Sequence, residues 1–127
     1  MSHYQIGVFA ITKKQKVVLI TSRTGARWIF PKGQPEKGRR MEKIAAEEAF
    51  EEAGIRGTIK SRPHSFKVTY GRTQKLFLYY MRVEDALDIW PESKERKRVI
   101  VSIDEAEKLL GKDLRSALRS MRKSYLK

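Results

Sequence analysis

Apolar and β-branched residues in the first third of the chain fall into short runs that predict strands. The runs lie at residues 4–11, 16–21 and 27–30. Polar residues at 13–15 separate the first two runs, which is typical of a β-hairpin. Pro31 ends the third run because proline has no amide hydrogen to donate to a neighbouring strand. The chain is therefore expected to begin with the strands of a sheet.

The next segment, residues 33–55, predicts a glycine-bearing turn followed directly by a helix. It reads GQPEKGRRMEKIAAEEAFEEAGI. Gly54 is expected to end the helix, since glycine adopts a positive φ at little cost. Glu48, Glu51 and Glu52 stand at i, i+3 and i+4, so their side chains share one face of the helix. The segment therefore predicts a helix with an acidic face, placed immediately after a turn.

The second half of the chain predicts more strands, a long charged loop and two helices. Strands are expected at residues 55–70 with a break at Pro63, at 74–83 and at 99–103, with connections at 71–73 and 84–98. Ser102 or Asp104 is suited to cap a helix at 105–110. A last helix follows Gly111. This order of elements predicts an α/β fold in which helices sandwich a mixed sheet.

The acidic helix face indicates a cation site. Like charges at this spacing cost an isolated helix roughly 0.2–0.5 kcal/mol per pair, so a fold that keeps three of them is expected to use them with a cation. Ligands that offer only oxygen donors suit Mg²⁺ or Mn²⁺. On the pattern alone, an acidic face that is simply solvated remains the alternative.

Residues 33–55 also resemble the signature of the Nudix hydrolases. That signature runs Gly, five residues, Glu, seven residues, Arg, Glu, an aliphatic residue, any residue, Glu, Glu, any residue, Gly and an aliphatic residue. The residues in register are Gly33, Glu48, Ala49, Glu51, Glu52, Gly54 and Ile55. The resemblance implies the Nudix α/β/α sandwich over nearly the whole chain. It also implies a divalent metal held by Glu48, Glu51, Glu52 and a backbone carbonyl near Gly33, with Glu48 or Glu52 orienting or deprotonating a water.

Two positions depart from the signature. Arg39 stands where the family has Glu, and Glu47 stands where the family has Arg. In the family these two residues pair electrostatically, so the exchange is interpreted as the same structural pair with its signs reversed. The moved charges lie beside the acidic face, where they are able to alter metal affinity.

A second resemblance concerns residues 21–33, TSRTGARWIFPKG. This run is similar to the strand and loop before the signature in Nudix enzymes that act on diphosphoinositol polyphosphates and diadenosine polyphosphates. Four cations are then expected at the mouth of the metal site as phosphate ligands: Arg23, Arg27, Lys32 and Lys37. Each alone also fits an ordinary surface cation, and Lys32 beside the turn is the favoured ligand.

Aromatic residues bear on the substrate, because nucleotide bases stack on rings whereas inositol phosphates require only cations. Trp28, Tyr70 and Tyr80 are the candidates for stacking, with core or sheet packing as the alternative. Glu92, in the predicted loop, is expected either to add a carboxylate to the metal site or to remain solvated.

Composition limits the remaining choices. A length of 127 residues fits one domain. The absence of cysteine excludes disulfides and thiolate chemistry. Neither a signal peptide nor a membrane span is expected from the sequence, which indicates a cytoplasmic protein. The net charge of +13 favours polyanionic partners such as phosphorylated metabolites or nucleic acid, although a basic surface without a specific ligand is the alternative.

Three functions are compatible with these features. The favoured one is a Mg²⁺-dependent (or Mn²⁺-dependent) pyrophosphohydrolase for a polyphosphorylated small molecule, either a diadenosine polyphosphate or a diphosphoinositol polyphosphate. The second is a Nudix enzyme for nucleoside triphosphates or the 5′ end of RNA. The third is a non-catalytic module that binds polyanions. In the enzyme hypotheses, Glu52→Gln is expected to lower turnover strongly with little loss of stability.

Overall fold

The chain forms eight strands and three helices within the residues that the structure describes. The structure is a computed structural model and describes residues 3–127, apart from the side chain of Tyr70. The strands are β1 (Tyr4–Ile11), β2 (Val17–Thr21), β3 (Trp28–Ile29), β4 (Lys32–Gly33), β5 (Ile55–Ile59), β6 (His64–Tyr70), β7 (Thr73–Ala86) and β8 (Arg98–Val101). The helices are α1 (Met41–Ala53), α2 (Ile103–Leu109) and α3 (Lys112–Tyr125).

All eight strands belong to one mixed sheet. Its main path runs β3-β2-β1-β7-β5, while β4 pairs with β1, β6 with β7 and β8 with β2. The pairing of β1 with β7 is parallel, and the other pairings are antiparallel. The parallel pair brings the N-terminal strand against β7, the longest strand of the sheet. Strand β1 is buried from Ile6 onward, whereas buried residues of β7 lie in its middle part.

Helices cover both faces of the sheet. Consecutive residues of a strand point to opposite faces, and Tyr79 and Tyr80 of β7 illustrate this arrangement. Tyr80 stacks on Tyr125 of α3 with ring centroids 4.8 Å apart. Tyr79 lies on the α1 side, where burial and then the Glu42 carboxylate raise its pKa. The predicted α/β/α sandwich with a mixed sheet is therefore confirmed.

The hydrophobic core lies between the sheet and these helices. Strand β2 is buried along its whole length, and β1 is buried from Ile6 to Ile11. Helix α1 meets the sheet with the small residues Ala45, Ala49 and Ala53, which are fully buried. Small side chains allow the helix axis to approach the sheet closely, and this fixes the height of the acidic residues above it.

Several predicted boundaries were wrong. The loop expected at 84–98 is shorter, because pairing with β5 extends β7 through polar residues to Ala86, and β8 already begins at Arg98. Thr73 belongs to β7, which leaves a shorter hairpin connection. Ile103 was expected in a strand but begins α2, where the Ser102 hydroxyl accepts a hydrogen bond from the Glu105 amide at 3.2 Å.

None of the helices within residues 3–127 is long and apolar enough to cross a membrane.

Candidate active site

Helix α1 carries the acidic residues, and its C-terminal end is fixed by a left-handed glycine. Gly54 has φ 65° and ψ 33°, and its amide closes the helix on the carbonyl groups of Ala49 and Phe50. A Cβ atom at this position would lie 2.7 Å from the ring of Trp90. The position therefore requires glycine for its backbone conformation and for the space that the indole occupies.

The loop between β7 and β8 satisfies the remaining carbonyl groups of the last turn of α1. The Trp90 indole donates to the Glu52 carbonyl at 2.9 Å, and the Glu92 amide donates to the Glu51 carbonyl at 3.0 Å. Arg98 donates to the Ala53 carbonyl at 2.9 Å and stacks 4.3 Å above the Trp90 ring. Helix ends need such partners for their free carbonyl groups. The loop thereby fixes the turn of helix that carries Glu51 and Glu52.

Glu52 lies at the base of the site, with only 7% of its surface exposed. Its Oε1 accepts a hydrogen bond from the Lys32 amide at 3.1 Å, and its Oε2 pairs with Nη2 of Arg96 at 3.0 Å. Burial raises the pKa of Glu52, while the Lys32 amide and the Arg96 guanidinium act in the opposite direction. The sequence did not predict that this carboxylate would be buried.

Arg96 links three parts of the site. Besides Glu52, its guanidinium donates to Glu92 Oε1 at 2.7 Å and to the Thr21 carbonyl at 3.0 Å. Sequence reasoning placed Arg96 in a basic loop and missed this role. The spacing of four residues between Glu92 and Arg96 was the available signal, but it predicts a pair only if the segment turns like a helix. Arg96 thus holds Glu92 near Glu52, and a role for Glu92 at the metal site remains a prediction.

Glu48 projects beside Gly33, one turn of helix before Glu52. A Cβ atom on Gly33 would collide with Cδ and Cγ of Glu48, so glycine leaves the space that the carboxyl group occupies. Burial, followed in order by the charges of Glu52, Glu51 and Glu92, raises the pKa of Glu48 to about 7. Glu48 is therefore a carboxyl group that both accepts and releases a proton near neutral pH.

A polar cleft of about 460 Å³ opens in front of these carboxylates. Three of the four cations predicted as phosphate ligands line it: Arg23, Arg27 and Lys32. Lys32 donates from Nζ to Oε1 of Gln5 at 2.6 Å. Its pKa is lowered to about 8, chiefly by burial, against the attraction of Glu52. Gln5 was not predicted, since a single glutamine in a strand carries no signal of function.

Two predicted residues lie apart from the cleft. Glu51 is exposed beside Glu47 on the adjoining surface of α1, although it remains close enough to raise the pKa of Glu48. Lys37 is exposed in the loop before α1 and is not part of the cleft wall. Although the three glutamates share one side of α1, Glu48 and Glu52 face the cleft and Glu51 faces the adjoining surface.

The exchanged charges do meet. Arg39 pairs with Glu47 and also with Glu36, whose Oε2 lies 2.6 Å from Nη1. All three side chains are at least one third exposed. Arg39 in the loop before α1 therefore forms an ion pair with Glu47 on the helix.

Two of the three aromatic candidates, Tyr80 and Trp28, lie outside the cleft wall. Tyr80 packs on Tyr125 and lines a different cavity. Trp28 is half-buried in β3, and among the described residues the cleft wall includes its neighbours Arg27 and Ile29. The Tyr70 side chain lies outside the described residues. Apart from Ile29 and Gly33, the described wall of the cleft thus consists of cations, carboxylates and uncharged polar groups.

The donors around the cleft suit a hard divalent cation. A geometric search of residues 3–127 finds no group of three or more His, Cys, Asp or Glu side chains already gathered for a metal ion. Glu48 and Glu52 nevertheless face the same cleft as Gly33. The neighbouring carboxylates raise the pKa of Glu48 more than Arg96 lowers it. A carboxylate has about four lone-pair positions, so Glu52 keeps acceptor capacity beyond its two hydrogen bonds. The chemistry of the donor set therefore fits Mg²⁺ or Mn²⁺.

Comparison with known proteins places the fold and these residues in a family. The model of the NUDIX domain matches residues 1–121. The chain belongs to the Nudix family.

Its relatives and structural neighbours differ in what they are named for. Nudix hydrolase 16, mitochondrial, of Arabidopsis thaliana is 34% identical over 100 residues, which are 72% of this chain and 56% of that protein. Diphosphoinositol polyphosphate phosphohydrolase 3-beta of Bos taurus is 30% identical over 105 residues, or 80% of this chain and 64% of that protein. This chain thus spans little more than half the length of the plant relative.

A solved structure, an Ap4A hydrolase binary complex from C. elegans, superimposes with a TM-score of 0.77. It is 19% identical in sequence, and the match covers 94% of this chain and 96% of that chain. At this identity the likeness concerns the fold alone.

Proposed function

We propose that this protein is a Mg²⁺-dependent pyrophosphohydrolase that cleaves a phosphoanhydride bond of a densely phosphorylated small molecule. The observation that carries the proposal is the meeting of Glu48 and Glu52 with Arg23, Arg27 and Lys32 around one cleft. Carboxylates that suit a metal ion and cations that suit phosphates are both needed for this reaction.

The residues of the chain have distinct parts in this reaction. Glu48, Glu52 and the Gly33 carbonyl face the cleft and would hold the metal, which when bound neutralises phosphate oxygens and favours ionisation of water. Glu51 lies outside the cleft wall and adds negative charge beside Glu48. Arg23, Arg27 and Lys32 bind and orient the polyphosphate by charge-assisted hydrogen bonds. Glu48 or Glu52 also orients or deprotonates the attacking water. The engagement of Glu52 by Arg96 supports Glu48 as the base.

The walls of the cleft favour a substrate that is recognised through its phosphates. Charged and small polar side chains provide charge-assisted contacts, whereas stacking a base requires an aromatic face. The name of the bovine relative agrees with a diphosphoinositol polyphosphate. A diadenosine polyphosphate is the second candidate substrate, since its bridging phosphates present the same chemistry.

The test is product analysis after incubation with Mg²⁺ and a panel of substrates. Diphosphoinositol polyphosphates, diadenosine polyphosphates, nucleoside triphosphates and capped RNA are each supplied at equal concentration. We expect orthophosphate release from the inositol compound to be fastest. Faster turnover of nucleoside triphosphates or capped RNA would overturn the proposed choice of substrate. Glu48→Gln, which leaves the buried Arg96–Glu52 pair in place, is the inactive control.

A non-catalytic polyanion-binding module is the second candidate, and the Arg96–Glu52 pair favours it. An internal guanidinium already neutralises part of the charge that a metal would neutralise. In this case the panel would give no product, while the inositol compound would still bind in the absence of Mg²⁺.

The cytoplasmic location remains a prediction.

A further inference from the structure

A second basic cavity lies at the opposite end of β1. It has a volume of about 710 Å³, and its cations are Lys13, Lys60 and Arg82. Gln5 lines the catalytic cleft, whereas Ile11 lines this cavity. The two residues are six positions apart on one strand, which corresponds to about 20 Å. A small substrate held in the catalytic cleft therefore leaves this cavity free.

Cations outnumber acidic residues in the wall of this cavity by three to one. Lys13, Lys60 and Arg82 are exposed, and none of them has an ion pair within residues 3–127. Glu84 is the acidic residue of the cavity wall, and it accepts a hydrogen bond from the Thr58 hydroxyl at 3.0 Å. Other cations of this protein, such as Arg39 and Arg96, have acidic partners. The cavity thus concentrates charge that attracts anions.

The positive surface continues beyond the cavity. Gln15 lines both this cavity and a neighbouring one of about 230 Å³, whose wall includes Arg122 and Lys127. The neighbouring wall contains one acidic residue, Asp104. Five exposed cations are therefore spread over two adjoining cavities that share Gln15. We call this surface, with Lys13, Lys60, Arg82, Arg122 and Lys127, the basic groove.

We propose that the basic groove binds the phosphodiester backbone of single-stranded nucleic acid. Exposed cations that are divided between two adjoining cavities suit a chain of regularly spaced phosphates. A single compact anion would instead be held by cations that converge at the bottom of one pocket. Tyr80 lies in the wall of the groove and is fixed by its stacking on Tyr125, so it offers a rigid hydroxyl beside the path of the strand. This site is independent of the proposed hydrolysis.

The test compares two variants of equal charge by fluorescence anisotropy with a labelled single-stranded RNA. One variant carries Lys13→Gln, Lys60→Gln and Arg82→Gln. The matched control carries Lys43→Gln, Lys67→Gln and Lys112→Gln, which are exposed cations outside the groove. Single strands lose affinity with salt at a logarithmic slope of roughly 0.7 per neutralised phosphate. We expect the groove variant to lower this slope by about two and the control to change it much less.

Three results would overturn the proposal. The first is an equal loss of affinity in both variants, which would indicate general attraction to a basic surface. The second is RNA binding by the unaltered protein that does not depend on salt. The third is that inositol hexakisphosphate binds the groove of the unaltered protein, while the groove variant binds RNA as tightly as the unaltered protein does. Turnover of the small substrate in the groove variant should equal that of the unaltered protein, which separates this proposal from the hydrolytic one.

Discussion

Arg96 donates a hydrogen bond to Glu52 at 3.0 Å inside the protein, and both residues are less than one tenth exposed. The pair joins the loop before β8 to the helix that carries the acidic residues. Because neither side chain reaches bulk water, Glu52 depends on Arg96 for charge compensation. Arg96 also pairs with Glu92. The candidate site therefore contains a structural ion pair as well as groups suited to chemistry.

Arg96→Gln should destabilise the protein by roughly 3–5 kcal/mol, the cost of leaving a buried charge without its partner. Urea unfolding of both proteins measures this difference. Arg23→Gln is the control, because Arg23 is 71% exposed and lies 4.0 Å from Glu92. It should cost less than about 1 kcal/mol. Equal costs for the two changes would mean that the Arg96 pair is effectively solvated.

The same burial corrects the expectation that Glu52→Gln would leave stability nearly unchanged. A neutral side chain at this position leaves the Arg96 guanidinium with Glu92 and the Thr21 carbonyl. Pattern reasoning treated Glu48, Glu51 and Glu52 as one exposed face, because helical periodicity gives directions around an axis and not the depth of a position. How deeply Glu52 is buried depends on where the loop between β7 and β8 packs against the end of α1.

Local sequence signals predicted the elements of this fold and part of the site. Gly54 ends α1 because glycine alone adopts its conformation cheaply, and such a cause is fully contained in the neighbouring residues. The course of residues 87–97 is different, since it depends on Trp90 and Arg98 meeting the end of α1. No local pattern contains those contacts, and therefore Arg96 was missed.

Gly33→Ala should lower turnover by roughly 100-fold, the effect of a misplacement of about 1 Å at a reacting group. The new methyl group would displace the Glu48 carboxyl group, while the flexible side chain limits the loss of stability. Steady-state kinetics and thermal unfolding measure the two effects. Gly111→Ala is the control, because a Cβ atom there meets no atom within 4 Å. Unchanged turnover in Gly33→Ala would remove Glu48 from the reaction.

Restoring the family charges at Arg39 and Glu47 tests their pairing. Arg39→Glu alone places three carboxylates together, because Glu36 also contacts Arg39. The double change with Glu47→Arg should recover part of the lost thermal stability. Melting temperatures of both single variants and of the double variant give the coupling. Additive effects would show that the two side chains do not interact in solution.

Glu48 should make stability depend on pH in a defined direction. Its pKa is about 7 in the folded protein, against an ordinary value of 4.5. Between these values the folded protein keeps a proton that the unfolded chain has released, so stability falls as pH rises from about 4.5 to about 7. Glu48→Gln should lose this contribution, whereas Glu95→Gln, an exposed control, should retain it. Melting temperatures across this range that are parallel for all three proteins would contradict the prediction.

Lys32 should limit catalysis on the alkaline side. Burial lowers its pKa to about 8, so the free enzyme loses this positive charge as pH rises through that value. A neutral amine holds phosphate weakly, and kcat/KM, which reports the ionisation of the free enzyme, should fall above about pH 8. Lys32→Arg keeps its charge at this pH, so its profile should remain flatter, whatever its absolute rate. Lys37→Arg, the exposed control, should keep the alkaline decline of the unaltered enzyme, and an equal decline in Lys32→Arg would assign the ionisation to another group.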